Sequence, residues 1–179
     1  MHPHISEILF SEQVIAQRIR ELGNEINRHF AQIDELTVIS IINGAIPFTA
    51  DLIRQIDLPV RIDCIRVSSY QNATSPVQAP NIINALRLDL RDRHVLILDD
   101  ILDTGHTLKK VYQSIADLHP ASLQFGVLLE KKARRAVEVQ PDFVGFQIPD
   151  AFVVGYGLDF AERYRNLPFI GLLKPEFQQ

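Results

Sequence analysis

The residues best suited to chemistry lie between positions 99 and 107, where carboxylates, hydroxyls and a glycine are concentrated. Two adjacent carboxylates, Asp99 and Asp100, precede the run Asp103-Thr104-Gly105-His106-Thr107. A glycine lets the backbone approach an anion closely, and the two threonine hydroxyls can donate hydrogen bonds to it. Carboxylates do not bind phosphate directly, so Asp99 and Asp100 suit sugar hydroxyls or a metal ion. The spacing therefore predicts an anion site with an acidic flank.

A strand before this stretch and a helix after it must position these side chains. The unbroken apolar run 95–98 is typical of a strand buried on both faces of a parallel sheet, and we expect it to end at the two carboxylates. Leu108, Val111 and Ile115 then recur at helical spacing. The first helical amides lack intrahelical partners and the helix dipole favours negative charge there, so the unit predicts phosphate binding. The competing interpretation is an ordinary turn capped by Asp103.

The same stretch closely resembles the phosphoribosyl pyrophosphate (PRPP) motif of type I phosphoribosyltransferases. Nearly the whole chain resembles the hypoxanthine-guanine phosphoribosyltransferases of that family, with residues 141–159 as a second specific match. The resemblance implies an α/β fold whose mainly parallel central sheet is flanked by helices, in one domain spanning residues 1–179. A small hood made from N- and C-terminal segments would cover the base site. Strands that alternate with helices favour an α/β fold independently.

The resemblance also implies the activity and the roles of the motif residues. The reaction transfers the 5-phosphoribosyl group of PRPP to hypoxanthine or guanine, giving IMP or GMP and pyrophosphate, with Mg²⁺ as cofactor. Asp103 would accept the purine N7 proton, while Asp99 and Asp100 would hold the ribose hydroxyls with Mg²⁺ close by. The 5′-phosphate would bind at the following four residues, which are Thr104, Gly105, His106 and Thr107.

Further residues are assigned to pyrophosphate by the same resemblance. The loop at Asn43-Gly44 would hold pyrophosphate through its backbone amides, and Arg165 would contact it through its guanidinium group. The family usually has Lys-Gly at this loop, so Asn43 removes a positive charge near the leaving group. Locally, the loop could also be a plain turn. Ser69 and Tyr70 match a pair in a loop that closes over the reaction centre in the family.

Four residues are assigned to the purine. Lys131 would donate to the exocyclic oxygen, and this favours a 6-oxopurine because an ammonium finds no acceptor on the amino group of adenine. Phe152 would stack on the ring, the Val153 backbone would read its edge, and Asp159 would lie beside the purine and help to hold Mg²⁺. Without the resemblance, Phe152 would be interpreted as a core aromatic and the basic cluster at Lys131 as a solvated turn.

The composition limits the alternatives. A chain of 179 residues with 46% hydrophobic residues can bury its own core. Its net charge of −4 argues against non-specific binding to nucleic acid, which would need a basic face. Cys64 is the single cysteine, so no internal disulfide forms and a cytoplasmic location is expected. No apolar run reaches membrane-spanning length. We expect PRPP and a 6-oxopurine as partners, no nucleic acid and no membrane, and by resemblance a homodimer or homotetramer.

The remaining pattern gives more local predictions. Residues 6–33 are predicted to be one long helix, or two if Ser11 caps a second one. Strands are predicted at 37–42, 60–67, 86–90 and 122–129, and two short strands joined by a turn within 141–159. Cys64 is predicted to be a packed thiol inside its strand.

Three other functions stay open at this level. The first is a transferase that prefers xanthine or guanine, because Lys131 does not specify purine position 2. The second is a regulator that binds PRPP without chemistry, against which Asp103, Lys131 and Asp159 argue. The third is a general nucleotide-binding module, which would bind nucleotides without forming any PRPP-dependent product.

Overall fold

The computed structural model describes residues 2–67 and 86–178, so the prediction about Ser69 and Tyr70 lies outside the described residues. The strands are β1 (Ile5–Phe10), β2 (Leu36–Ile42), β3 (Val60–Arg66), β4 (His94–Leu102), β5 (Ser122–Glu130), β6 (Phe143–Gln147), β7 (Val153–Val154) and β8 (Ile170–Leu173). The α-helices are α1 (Glu12–His29), α2 (Ile46–Ile53) and α3 (His106–Ala116). Short 3-10 helices lie at Lys132–Arg134 and Pro175–Phe177.

Five strands form one parallel sheet in the order β3-β2-β4-β5-β6. Residues 95–98 of the central strand β4 have no exposed surface, which confirms the prediction of a strand buried on both faces. Leu96 and Leu98 pack towards α1 and α2, whereas Val95 and Ile97 pack towards α3. Each such buried side chain contributes about 1.5–3 kcal/mol. Helices on both faces of a mainly parallel sheet confirm the predicted fold class.

The prediction of a helix from residue 6 is wrong over its first part, because residues 5–10 form strand β1. This strand pairs antiparallel with β8, a partner far away in sequence that local periodicity cannot reveal. Ser11 ends the strand and is the N-cap of α1, where its hydroxyl accepts a hydrogen bond from the amide of Val14 at 3.4 Å. The alternative with a cap at Ser11 is therefore correct for the start of α1.

A second sheet, with the order β1-β8-β7, joins the N-terminal strand to two strands near the C-terminus. The two short strands predicted within 141–159 are present as β6 and β7, and they lie in different sheets. β6 belongs to the parallel sheet and β7 to the antiparallel one, so the intervening Ile148-Pro149-Asp150 carries the chain between sheets. The small second sheet is built from N- and C-terminal segments, the same segments from which we expect the hood to form.

Three other local predictions are also wrong. Strand β4 continues past Asp99 and Asp100 to Leu102 because its pairing with β5 continues. Residues 86–90 are not a strand, since the amides of Arg87 and Leu88 bind the carboxylate of Asp63 instead. Cys64 is exposed, because it lies on the face of the edge strand β3 opposite to that of the buried Ile65. Among the described residues, no helix has the length and apolar character needed to cross a membrane.

Asp63 gives a testable stability prediction. Burial opposes its ionisation, but the amides of Leu88, Arg87 and Cys64 outweigh burial and lower the pKa of Asp63. Its contribution is therefore complete above the unfolded carboxyl pKa of about 3.9 and is lost as the pH falls through the lower folded pKa. We expect Asp63→Asn to lower the free energy of unfolding by about 1 kcal/mol at pH 7 in urea titrations.

The difference between wild type and Asp63→Asn should shrink as the pH approaches 3. Asp92→Asn is the matched control, because Asp92 is exposed and its carboxylate makes no hydrogen bond within the described residues. A stability difference that stays constant from pH 7 to pH 3 would contradict the assignment.

Candidate active site

The site forms where the parallel strands end, because the loops after their carboxyl ends meet at one edge of the sheet. Pairing of β2 with β4 ends at Leu98, while pairing of β4 with β5 runs on to Leu102. The end of β4 therefore extends beside the loop that follows β2. A Cβ atom added to Gly44 would lie 1.7 Å from Oδ2 of Asp100. Only glycine fits at this position, so the predicted pyrophosphate loop and the acidic pair are in direct contact.

The acidic pair is held by its own backbone. Oδ1 of Asp99 accepts from the amide of Asp100 at 2.9 Å, and Oδ1 of Asp100 accepts from the amide of Ile101 at 2.8 Å. Burial, and then the neighbouring charge of Asp100, raise the pKa of Asp99 well above its usual range. Burial also raises the pKa of Asp100, although its hydrogen bonds and the charge of Arg165 oppose this effect. Two crowded carboxylates of this kind favour a bound cation or hydroxyl donors.

The predicted phosphate loop leads into helix α3, which begins at His106. Its N-cap is Gly105, with a φ of 88°, and no side chain caps the helix. The alternative of a plain turn capped by Asp103 is therefore wrong. A small cavity of about 80 Å³ is lined by Asp99, Ile101, Leu102, Asp103, Thr104, Gly105, Thr107 and Leu108. His106 is exposed and does not line this cavity.

The segment at residues 136–137 packs against the loop at Thr104-Gly105 and stabilises it. The amides of Ala136 and Val137 donate to the carbonyl of Thr104 at 3.0 and 3.3 Å. The side chain of Val137 would lie 2.8 Å from a Cβ atom at Gly105. The left-handed conformation and this close contact together require glycine in the loop. The amides at the start of α3 are thus held in a fixed position beside the cavity.

Asp103 lies at the border of this cavity, next to a basic side chain. Its Oδ2 is 3.3 Å from the Nη1 atom of Arg134. Its Oδ1 is buried and makes no hydrogen bond to the described part of the chain. A buried carboxylate oxygen without a donor is suited to accept a proton or hydrogen bond from a ligand.

A second pocket, of about 190 Å³, lies on the other side of Ile101. It is lined by Asp100, Ile101, Lys131, Phe152, Val153, Leu158 and Asp159. Lys131 is 6% exposed, and its Nζ atom is 3.8 Å from Oδ1 of Asp150, so it is not a solvated turn residue. Phe152 is 43% exposed, and its ring and that of Phe160 form an edge-to-face pair with centroids 5.3 Å apart, so it is not a core aromatic. All four residues assigned to the purine line this pocket.

Arg165 is tied to the same pocket through Asp159. Its Nη2 atom lies 2.9 Å from Oδ1 of Asp159 and 3.0 Å from Glu162, and its Nη1 atom donates to the carbonyl of Gly157 at 2.8 Å. Its Nε atom is buried without a hydrogen-bond partner among the described residues. The charge of Arg165 is therefore shared with Asp159.

The turn before Asp159 packs closely against the Asn43-Gly44 loop. Gly157 has a φ of 99°, and a Cβ atom there would lie 2.0 Å from the carbonyl oxygen of Gly44. The hydroxyl of Tyr156 donates to Asp51 of α2 at 2.5 Å. Burial, and then this hydrogen bond, raise the pKa of Tyr156, so its hydroxyl remains a donor. These contacts join the Asn43-Gly44 loop, α2 and the turn before Asp159 to one another.

The site contains carboxylate oxygens that could bind a metal ion, but the described residues do not provide a complete set of metal ligands. Within residues 2–67 and 86–178, no three His, Cys, Asp or Glu side chains come together to hold a metal. Asp99, Asp100 and Asp159 nevertheless supply carboxylates around the two pockets. Mg²⁺ commonly binds through one or two carboxylates, with substrate phosphates and water completing the octahedron. The donor set thus fits Mg²⁺ carried in with a phosphate substrate.

Sequence reasoning missed several residues that the fold brings to the site. Arg66 donates to Oδ1 of Asn43 at 3.1 Å, and Asp150 lies between Lys131 and Arg134. Arg66 could have been found only from the register of β3 against β2, because 23 residues separate it from Asn43. Tyr156 lies between Gly155 and Gly157, and no sequence pattern there predicted its contact with Asp51.

Comparison with known proteins agrees with this geometry. A family model described as a phosphoribosyl transferase domain matches residues 6–161. The chain is 45% identical over 173 residues to the hypoxanthine phosphoribosyltransferase of Haemophilus influenzae, covering 96% of this chain and 97% of that protein. It is 43% identical over 175 residues to the hypoxanthine-guanine phosphoribosyltransferase of Bacillus subtilis, covering 98% and 97%. It spans 27% of the length of the bifunctional TilS/HprT proteins of Listeria monocytogenes, at 43% identity.

Solved structures give the same result. A ternary substrate complex of a mutant Trypanosoma cruzi hypoxanthine phosphoribosyltransferase matches with a TM-score of 0.89 and 38% identity, over 98% of both chains. A hypoxanthine-guanine phosphoribosyltransferase from Bacillus anthracis matches with a TM-score of 0.87 and 39% identity, over 95% of this chain and 99% of that one. The chain belongs to the phosphoribosyltransferase family, among relatives that act on hypoxanthine and guanine, as its PRPP motif predicted.

Proposed function

We propose that this chain transfers the 5-phosphoribosyl group of PRPP to N9 of hypoxanthine or guanine, forming IMP or GMP and releasing pyrophosphate. The observation that carries the proposal is the position of the two pockets. An anion cavity with helix amides and a pocket with a buried lysine and an exposed aromatic share Ile101 and flank the carboxylates of β4. A phosphate, a ribose and a purine can span these sites in that order.

In the reaction, purine N9 forms a bond to the ribose carbon while the bond from that carbon to pyrophosphate breaks. Pyrophosphate leaves with the electron pair, and the N7 proton of the purine passes to Asp103. The unpartnered Oδ1 atom of Asp103 is the acceptor in this proposal. Asp99 and Asp100 orient the ribose hydroxyls, and the α3 amides with Thr104 and Thr107 fix the 5′-phosphate.

Charge on the leaving pyrophosphate needs compensation as the bond breaks. Arg165 and the backbone amides of the Asn43-Gly44 loop provide donors from this chain. Mg²⁺, when bound by Asp159 with Asp99 or Asp100, would neutralise part of that charge. We also propose that the chain works as a homodimer or homotetramer, as the resemblance implies.

The test of the function is product formation from PRPP and Mg²⁺ with hypoxanthine, guanine, xanthine or adenine supplied separately. We expect conversion of hypoxanthine, with or without guanine, and none of adenine. Preferred conversion of xanthine would favour the first rival function. Tight PRPP binding without any product would favour the regulator instead.

The role of Asp103 gives a direct prediction. Asp103→Asn keeps the size of the side chain but removes the proton acceptor, so turnover should fall at least about 100-fold while IMP affinity is retained. Steady-state kinetics and IMP titration measure the two quantities. Asp117→Asn, an exposed position at the other end of α3, is the matched control. Turnover of Asp103→Asn near that of wild type would remove Asp103 from its role.

The role of Lys131 gives a second prediction. Lys131→Met should raise the KM for hypoxanthine by about 10- to 100-fold, since a hydrogen bond to a charged group contributes about 1.5–3 kcal/mol. The KM for PRPP should change little. The exposed neighbour Lys132 provides the control variant Lys132→Met, which should behave as wild type. Equal effects on both substrates in Lys131→Met would count against a specific contact with the base.

A further inference from the structure

We propose that Arg66 supplies the positive charge that the pyrophosphate group of PRPP meets at the Asn43-Gly44 loop. The inference rests on the function proposed above and names a further binding residue in the same site. The loop itself carries no charge, since residues 43–45 are Asn, Gly and Ala. A loop that binds pyrophosphate with amides alone would leave much of its negative charge uncompensated.

The register of the sheet places Arg66 beside this loop. Strands β2 and β3 are parallel, and Ile42, the last residue of β2, pairs with Arg66, the last residue of β3. The loop begins at the next residue, and the Nη2 atom of Arg66 donates to Oδ1 of Asn43 at 3.1 Å. Asn43 thus orients a guanidinium group towards the loop from the neighbouring strand.

Among the described residues, the charge of Arg66 is not paired with a carboxylate, unlike the charges of three other cations around the site. Arg165 pairs with Asp159 and Glu162, Lys131 pairs with Asp150, and Arg134 pairs with Asp103 and Asp150. Within the described part of the chain, Arg66 makes no ion pair and one side-chain hydrogen bond. A guanidinium group has five donors in a planar fork, so several of them remain for phosphate oxygens.

The neutral side chain of Asn43 is compatible with this arrangement. A lysine at position 43 would bring a second positive charge next to Arg66, at a cost set by like-charge repulsion. An amide instead accepts a hydrogen bond from the guanidinium group. On the other side of the loop, Gly44 lies against the carboxylate of Asp100. The loop therefore lies between the cation Arg66 and the acidic pair. Pyrophosphate, which is negatively charged, is favoured on the side of Arg66.

The experiment measures pyrophosphate affinity by calorimetry, with Mg²⁺ present, in the full chain. Arg66→Gln should weaken pyrophosphate binding by about tenfold and reduce its salt dependence, because one charge contact to phosphate is lost. Arg66→Lys should retain most of the salt dependence. Asn43→Ala, which removes the hydrogen-bond acceptor but keeps the guanidinium charge, should have a smaller effect than Arg66→Gln.

A double variant that moves the positive charge from position 66 to position 43 tests the inference most directly. Asn43→Lys combined with Arg66→Gln moves the charge from the strand into the loop and should restore pyrophosphate affinity. Arg61→Gln, at the opposite end of the same strand, removes one charge away from the site and is the matched control. Thermal unfolding of each variant verifies that the fold is kept.

Two outcomes would overturn the inference. One is unchanged pyrophosphate affinity in Arg66→Gln. The other is equal losses in Arg66→Gln and Asn43→Ala with unchanged salt dependence, which would assign Arg66 only to holding the loop. Failure of the proposed function is separable, because it would appear as absence of product in wild type while pyrophosphate binding still depends on Arg66.

Discussion

The active site depends on the unequal lengths of the strand pairings along β4. Because β4 remains paired with β5 for four residues after its pairing with β2 has ended, its acidic end extends beside the β2–α2 loop. Backbone pairing on one side holds Asp99 and Asp100 rigidly, and the free side gives a ligand access to them. The contact between Gly44 and Asp100 follows directly from this geometry. A parallel sheet thereby places acidic and amide groups within reach of one substrate.

The second constraint is the attachment of the small sheet to this edge. Gly157 packs on the carbonyl of Gly44, and Tyr156 binds Asp51 of α2. These contacts hold Asp159 and Arg165 opposite the carboxylates of β4, with the pocket that contains Lys131 and Phe152 between them. Preorganisation of this kind allows charged groups to act on a transition state without rearranging during the reaction.

Charge at the site is distributed in pairs rather than placed singly. Lys131, Arg134 and Arg165 each lie near a carboxylate, which reduces the cost of holding them in partly buried positions. A negatively charged ligand can replace these carboxylates as the partner of each cation. The departure of Asn43 from the usual family pattern is understandable in the same terms, because a neighbouring strand carries a cation that the loop itself lacks.

The sequence alone determined the features that depend on local order. The apolar run 95–98 identified the central strand, Asp103-Thr104-Gly105 identified the loop, and Ser11 identified a helix start, because burial, turn formation and capping depend on neighbouring residues. The resemblance added the roles of Lys131 and Phe152, and the fold places both in one pocket. Only the tertiary structure decided that residues 5–10 form a strand and that β4 extends to Leu102. It also decided that Arg66 meets Asn43. These features arise from strand pairing and register between distant segments, and local periodicity carries no record of such partners.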